Sequence, residues 1–104
     1  MAAKILVGID ADLQDLIPGF LARKAGDART ILASIGRGDW ELVAATAHKL
    51  KGEGGSYGLD RITDLGRALE DAAKQKDQAA TRGLADELAS YLAQVEVVYE
   101  PSES

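Results

Sequence analysis

Few residues in this chain can do chemistry. There is one histidine, His48, and no cysteine. The missing thiols exclude a disulfide framework, a cysteine-based zinc site, an iron–sulfur site and a thiol nucleophile. Around the histidine the chain reads Ala44-Ala45-Thr46-Ala47-His48-Lys49-Leu50-Lys51-Gly52-Glu53-Gly54-Gly55. At helical spacing Ala44 and Ala45 lie one turn before His48, Lys51 and Gly52 one turn after it, and Gly55 two turns after. Nothing bulky on that helix crowds the ring. An exposed imidazole is mostly unprotonated near neutral pH and offers a nucleophilic nitrogen. Lys51 sets an ammonium where it can pair with an anion attached to the ring. Gly52 and Gly55 each cost a helix interior about 1 kcal/mol against alanine. The natural gain is close approach by another protein's active site. An accessible nucleophile with a cation one turn away, and no acid–base partner in its helical neighbourhood, suits a phosphoryl acceptor better than a self-sufficient enzyme.

Each of these residues also has a plainer reading. A lone surface histidine usually has no role, and lysines such as Lys49 and Lys51 are commonly just solvated. Gly54 and Gly55 fit simple fraying before a turn at Gly58. Gly52 fits that explanation less well, and Trp40 reads as a core anchor at the start of its helix.

The elements that must hold this site are helices. Leu13, Leu16, Ile17, Phe20 and Leu21 recur at helical spacing, followed by Ala28, Ile31, Leu32 and Ile35, with a kink or restart expected at Pro18. The run ends at Gly36-Arg37-Gly38. Asp39 is a good N-cap for a second helix carrying Trp40, Val43, Ala47 and Leu50. Asp60 is expected to cap a third with Ile62, Leu65, Leu69, Ala72 and Ala73. Asp77 is expected to cap a fourth with Leu84, Leu88, Tyr91, Val95 and Val98, a bundle seam. On the second helix the apolar arc is roughly 80° wide and His48 lies about 120° from its centre, on the water-facing flank. Ile5, Val7 and Ile9 alternate with Lys4, Leu6 and Gly8. This is a weak strand signal with no second strand to pair with, so an extended or short helical arm is expected. Short loops force antiparallel neighbours. The expectation is an all-α, antiparallel up-down four-helix bundle over residues 1–100, with a disordered tail at 101–104.

Composition narrows the partners. Seventeen acidic residues against twelve basic ones give a net charge of −5, and aromatics are 5%. Binding to nucleic acid or to anionic lipid is therefore not expected. No apolar run approaches the roughly 20 residues of a membrane span, and the start of the chain lacks a signal-peptide layout. A cytoplasmic monomer is the expectation.

Ala47-His48-Lys49-Leu50-Lys51-Gly52, followed by Gly55, Gly58 and Leu59, resembles the signature of the histidine-containing phosphotransfer (HPt) domain. The resemblance extends to Gly38-Asp39-Trp40, to Leu65-Gly66-Arg67-Ala68-Leu69-Glu70 and to Leu16-Ile17-Pro18-Gly19-Phe20-Leu21, covering about residues 10 to 98. It implies a four-helix bundle with the histidine exposed on its second helix. It implies that His48 takes a phosphoryl group from a receiver-domain aspartate and passes it to another. By the same resemblance Lys51 helps hold the phosphoryl group and Gly52 leaves room for it, with Ala44, Ala45, Lys49 and Gly55 on the partner-facing surface. The implied partners are response-regulator receiver domains and a hybrid sensor histidine kinase. No cofactor is implied on this chain, since the magnesium used in transfer belongs to the receiver domain. One departure stands out: Glu53 occupies a position where a small residue, often serine, is common. It points about 140° from His48 on the helical wheel, so its effect is expected to be mild.

Two other classes compete. A non-catalytic helical adaptor would use the small-residue face around His48 only as a docking patch. A bundle-core carboxylate metal site needs Glu-x-x-His pairs on facing helices, whereas Ala45 stands three before the only histidine. No Gly-rich phosphate loop on a strand is present to bind ATP.

Overall fold

Pro18 stands in the first turn of helix α1 (Ile17–Arg37), where its missing N–H is not needed. The expected break in the first run is therefore a helix start, preceded by a 3-10 turn at Ala11–Leu13. The computed structural model of the chain describes residues 4–101. Beyond Pro101 the expected tail lies outside the described residues. α1 ends at Gly38, whose φ of 69° is the left-handed cap that glycine adopts without strain. α2 (Trp40–Gly54) begins on Asp39, whose carboxylate accepts the Leu42 N–H at 3.2 Å. A 3-10 turn at Gly55–Tyr57 and Gly58, at φ 77°, lead into α3 (Asp60–Lys74). Its cap is Leu59 rather than Asp60, which is the first helical residue. Asp77 caps α4 (Gln78–Gln94) by accepting the Ala80 N–H at 3.1 Å.

Short connections make successive helices antiparallel. Each helix packs on two others, in the cycle α1–α2–α3–α4–α1. Phe20, Ile31 and Ile35 of α1, Val43, Ala47 and Leu50 of α2, Ile62, Leu65 and Leu69 of α3, and Ala85, Leu88 and Tyr91 of α4 are all buried in one core cluster. Trp40, expected as a core anchor, is half-buried and packs on the core from its rim. No helix among the described residues is long and apolar enough to cross a membrane.

The arm and the end of the fourth helix need correcting together. Ile5–Asp10 is extended, and it forms strand β1 of a two-stranded parallel sheet. Its partner is β2 (Val95–Glu100), which lines up Ile5 with Val95 and Asp10 with Glu100. Val95 and Val98 therefore do not belong to the seam of α4, which stops at Gln94. Their four-and-three spacing imitates a helix, but Val95-Glu96-Val97-Val98-Tyr99 is rich in β-branched and aromatic residues that favour a pleated strand. Ile5, Val7 and Ile9, with Val95, Val97 and Tyr99, pack toward the core, and the alternate residues face water.

α2 and α3 are brought backbone to backbone by two glycines. A Cβ at Gly66 would lie 2.5 Å from the Lys51 amide nitrogen and 2.9 Å from the Ala47 carbonyl oxygen. A Cβ at Gly54 would lie 2.6 Å from the Thr63 amide nitrogen. Gly54 is thus a packing requirement and not a frayed end. Gly66→Ala is expected to lower stability by about 1–3 kcal/mol through overpacking, which alanine's better helix propensity only partly offsets. Urea unfolding at neutral pH checks this, and a variant as stable as the parent would contradict so close a contact.

Candidate functional site

His48 lies in the middle of α2, and 69% of its side chain is exposed. The ring is on the water-facing flank, as its position on the helical wheel requires. Its Nδ1 is 2.9 Å from Oε2 of Glu70, on α3. The other oxygen of the same carboxylate, Oε1, accepts a hydrogen bond from Lys51 Nζ at 2.8 Å. One carboxylate therefore bridges the imidazole and the ammonium. Gly66 makes this possible. Glu70 follows it by one turn on α3, so the backbone contact at Gly66 carries Glu70 across to His48 and Lys51.

Glu70 is nearly buried, with 10% of its side chain exposed. The Lys51 hydrogen bond holds its carboxyl below the ordinary value, and burial opposes this by penalising the charge. The His48 bond and the charges of Lys51 and Lys74 push it down further. A carboxylate only accepts hydrogen bonds. The neutral imidazole must then carry its proton on Nδ1 and donate it to Glu70. That leaves the lone pair on Nε2, which has no partner among the described residues. The arrangement presents a nucleophilic nitrogen to solvent and keeps the opposite nitrogen protonated beside a negative charge.

The other candidate residues fall into two groups. Ala45 and Gly52 are exposed around the ring. A Cβ at Gly52 would meet nothing within 4 Å, so the bundle itself does not require glycine there. Ala44 is half-buried and packs against the core. Lys49 turns the other way: its Nζ is 3.5 Å from Asp27 on α1, so it is not part of the His48–Glu70 cluster. Gly55 begins the turn after α2, and its N–H donates to Thr63 Oγ1 at 2.8 Å. Glu53 also faces α1. It accepts a hydrogen bond from Lys24 at 3.1 Å, and Lys24, almost wholly buried, also donates to Asp27 at 2.9 Å. The unusual acid beside the Lys51–Gly52 pair is thus neutralised on the far flank of α2.

Glu70 is the residue that the local reading of α2 missed. No acid on His48's own helix reaches the ring, and its partner comes from α3. The available signal was its position at the edge of the α3 apolar arc, next to Leu69 and one turn after a glycine. Among the described residues no group of three or more His, Asp or Glu could hold a metal ion.

Because the Glu70 carboxyl is held below 4.5, its ordinary value, its contribution to stability is complete above that pH. The contribution fades as the pH falls through the lowered value. Glu70→Gln removes it at every pH. The stability gap between parent and variant, read by urea unfolding, should be constant above about pH 4.5 and shrink below it. A gap indifferent to pH would mean that the carboxylate is not held by its partners.

Comparison with known proteins agrees with this geometry. The family model described as "Hpt domain" matches residues 11–97. That span holds all four helices, His48, Lys51, Gly52 and Glu70, and leaves β1 outside. No curated protein and no solved structure matches the chain. A buried-stripe bundle with an exposed histidine on its second helix, matched over most of its length, belongs to the Hpt domain family, whose members serve phosphotransfer in two-component signalling.

Proposed function

We propose that His48 is a phosphoryl carrier between receiver domains of a phosphorelay. The reading rests on one observation above all: an exposed ring whose Nδ1 bonds Glu70 and whose Nε2 has no partner among the described residues. In the forward step the Nε2 lone pair attacks the phosphorus of a receiver-domain aspartyl phosphate. The nitrogen–phosphorus bond forms, the phosphorus–oxygen bond breaks, and the aspartate leaves as a carboxylate. The ring keeps its Nδ1 proton and becomes cationic, and Glu70 stabilises that charge across the 2.9 Å contact. Passing the group to a second aspartate reverses these bonds.

Lys51 is the residue to hold the incoming phosphoryl oxygens. At rest its ammonium is occupied by Glu70 Oε1. It is 34% exposed and on a flexible stem, so it can turn to the new anion. Gly52, with Ala45, keeps the approach open, and Gly55 lies on the same side as the end of α2. Lys49, paired with Asp27 on the neighbouring flank, is exposed to a docking partner without adding net charge at the ring. The chain acts as a carrier with no ATP-dependent kinase activity of its own. Its donor is a hybrid sensor histidine kinase, magnesium is supplied by the receiver domain, and the setting is the cytoplasm.

Mixing the chain with a phosphorylated receiver domain should give an acid-labile, base-stable label. His48→Gln should abolish the label and leave the helical circular dichroism intact. A label that survives would remove His48 from the proposal, and a chain that binds the receiver without ever acquiring label would favour the docking-only adaptor. Gly52→Ala separates access from folding. It should stabilise the bundle by up to about 1 kcal/mol, since the methyl has space and alanine suits a helix, yet transfer should slow. Unchanged transfer would show that the open space at Gly52 is not where the partner approaches.

A further inference from the structure

The parallel sheet is short of partners. Two parallel strands make a marginal sheet, and parallel sheets are ordinarily buried on both faces. Here β2 is the only hydrogen-bonded neighbour of β1 among the described residues. Among the described residues no backbone hydrogen bond outside the ladder involves residues 4–10. Among them, one edge of β1 therefore has no hydrogen-bonded neighbour along its length. Its sequence, Ile5-Leu6-Val7-Gly8-Ile9-Asp10, carries no proline or internal lysine of the kind that blunts an exposed edge. On its outer face Leu6 is 68% exposed. β1 also lies outside the span that the family model matches, so this edge is a feature of the chain beyond the shared bundle.

The residues along that edge are self-complementary. In an antiparallel pair of identical strands, a register centred on Val7 keeps every side chain on its own face. Lys4 then stands opposite Asp10 of the second copy, twice by symmetry, and Leu6 stands opposite Gly8. Val7 meets Val7 on the axis, and Ile5 meets Ile9 on the inner face. Lys4 gains a further acid. The Glu100 carboxylate lies over Gly8, where a Cβ would collide with it, and so stands diagonally across from the second copy's Lys4. Within one copy, among the described residues, Lys4 pairs with Glu96 at 3.7 Å, both side chains exposed. The free edge of β2 offers no opposite-charge pair: centred on Val97 it sets Glu96 against Val98, and centred on Val98 it sets Glu96 against the second copy's Glu100 twice, where like charges are destabilising.

We propose that β1 is a self-association edge, through which two copies of this chain join antiparallel about a two-fold axis at Val7 into one four-stranded sheet. The contact uses seven residues a side, against the about 20–30 of a standard interface, so the dimer is weak and depends on concentration. The proposal does not depend on the phosphorelay reading.

Sedimentation equilibrium of the full chain, from micromolar to millimolar concentration, tests it. The mass should rise from 11.0 kDa toward twice that value. A monomer throughout would overturn the proposal. Lys4→Glu turns both end pairs repulsive and should weaken association about tenfold, with the helical circular dichroism unchanged. Glu96→Gln removes only the pair within one copy and should leave association as tight or tighter. Association indifferent to Lys4→Glu would overturn the register. The native chain has no cysteine, so disulfides read the register directly. A mixture of Lys4→Cys and Asp10→Cys chains should form the mixed disulfide under mild oxidation. Lys4→Cys alone should not, because its two copies would stand about 20 Å apart. Ready linking of Lys4→Cys to itself would overturn the antiparallel arrangement.

Discussion

Glu70 shares one carboxylate between an imidazole and an ammonium, and the site takes its character from that sharing. The carboxylate fixes which ring nitrogen carries the proton and so which one is free to react. It also holds the Lys51 ammonium on the same carboxylate as the ring. None of this would occur at an ordinary helix–helix separation. A side chain at Gly66 would push α3 away from the Lys51 and Ala47 backbone and carry Glu70 out of reach. A backbone contact one turn away is thus the condition for the chemistry.

Charge on α2 is sorted by flank. Toward α3, Lys51 and Glu70 cancel, and His48 bonds the same carboxylate. Toward α1, Lys24 and Lys49 are balanced by Asp27 and Glu53 in one connected cluster. The buried Lys24 ammonium accounts for the acid beside Lys51–Gly52: with two carboxylates around it, it avoids the large penalty of an unpaired interior charge. It also lies 5.3 Å from the centre of the Phe20 ring, which stacks on Tyr57. A phosphoryl group arriving at Nε2 would add negative charge to the α3 flank alone, and Lys51 would then have two anions to choose between.

Much of this was legible in the sequence, and the gaps have physical causes. Helix starts at Asp39 and Asp77 and the stop at Gly38 follow from local backbone chemistry, so neighbouring residues sufficed. The exposure of His48 follows from the helix period. Glu70 escaped because its role depends on a contact between helices 22 positions apart in sequence. Gly54 is ambiguous for the same reason: a glycine that admits a close neighbour looks, in one dimension, like one that ends a helix. Val95 and Val98 read as part of α4 in the sequence because their spacing satisfies a helical seam. Only the presence of β1, some ninety residues earlier, makes a strand the better choice.

The parallel ladder between the first and last strands has a mechanical consequence. Ile5 lies beside Val95 and Asp10 beside Glu100, so the chain enters the ladder at one end and leaves it at the other. Tension applied between residues 5 and 100 would run along the strands and load the rungs together, in shear. An antiparallel closure would instead peel open one rung at a time. The ribbon therefore acts as a clasp between the start of α1 and the end of α4, resisting pull best along the strands.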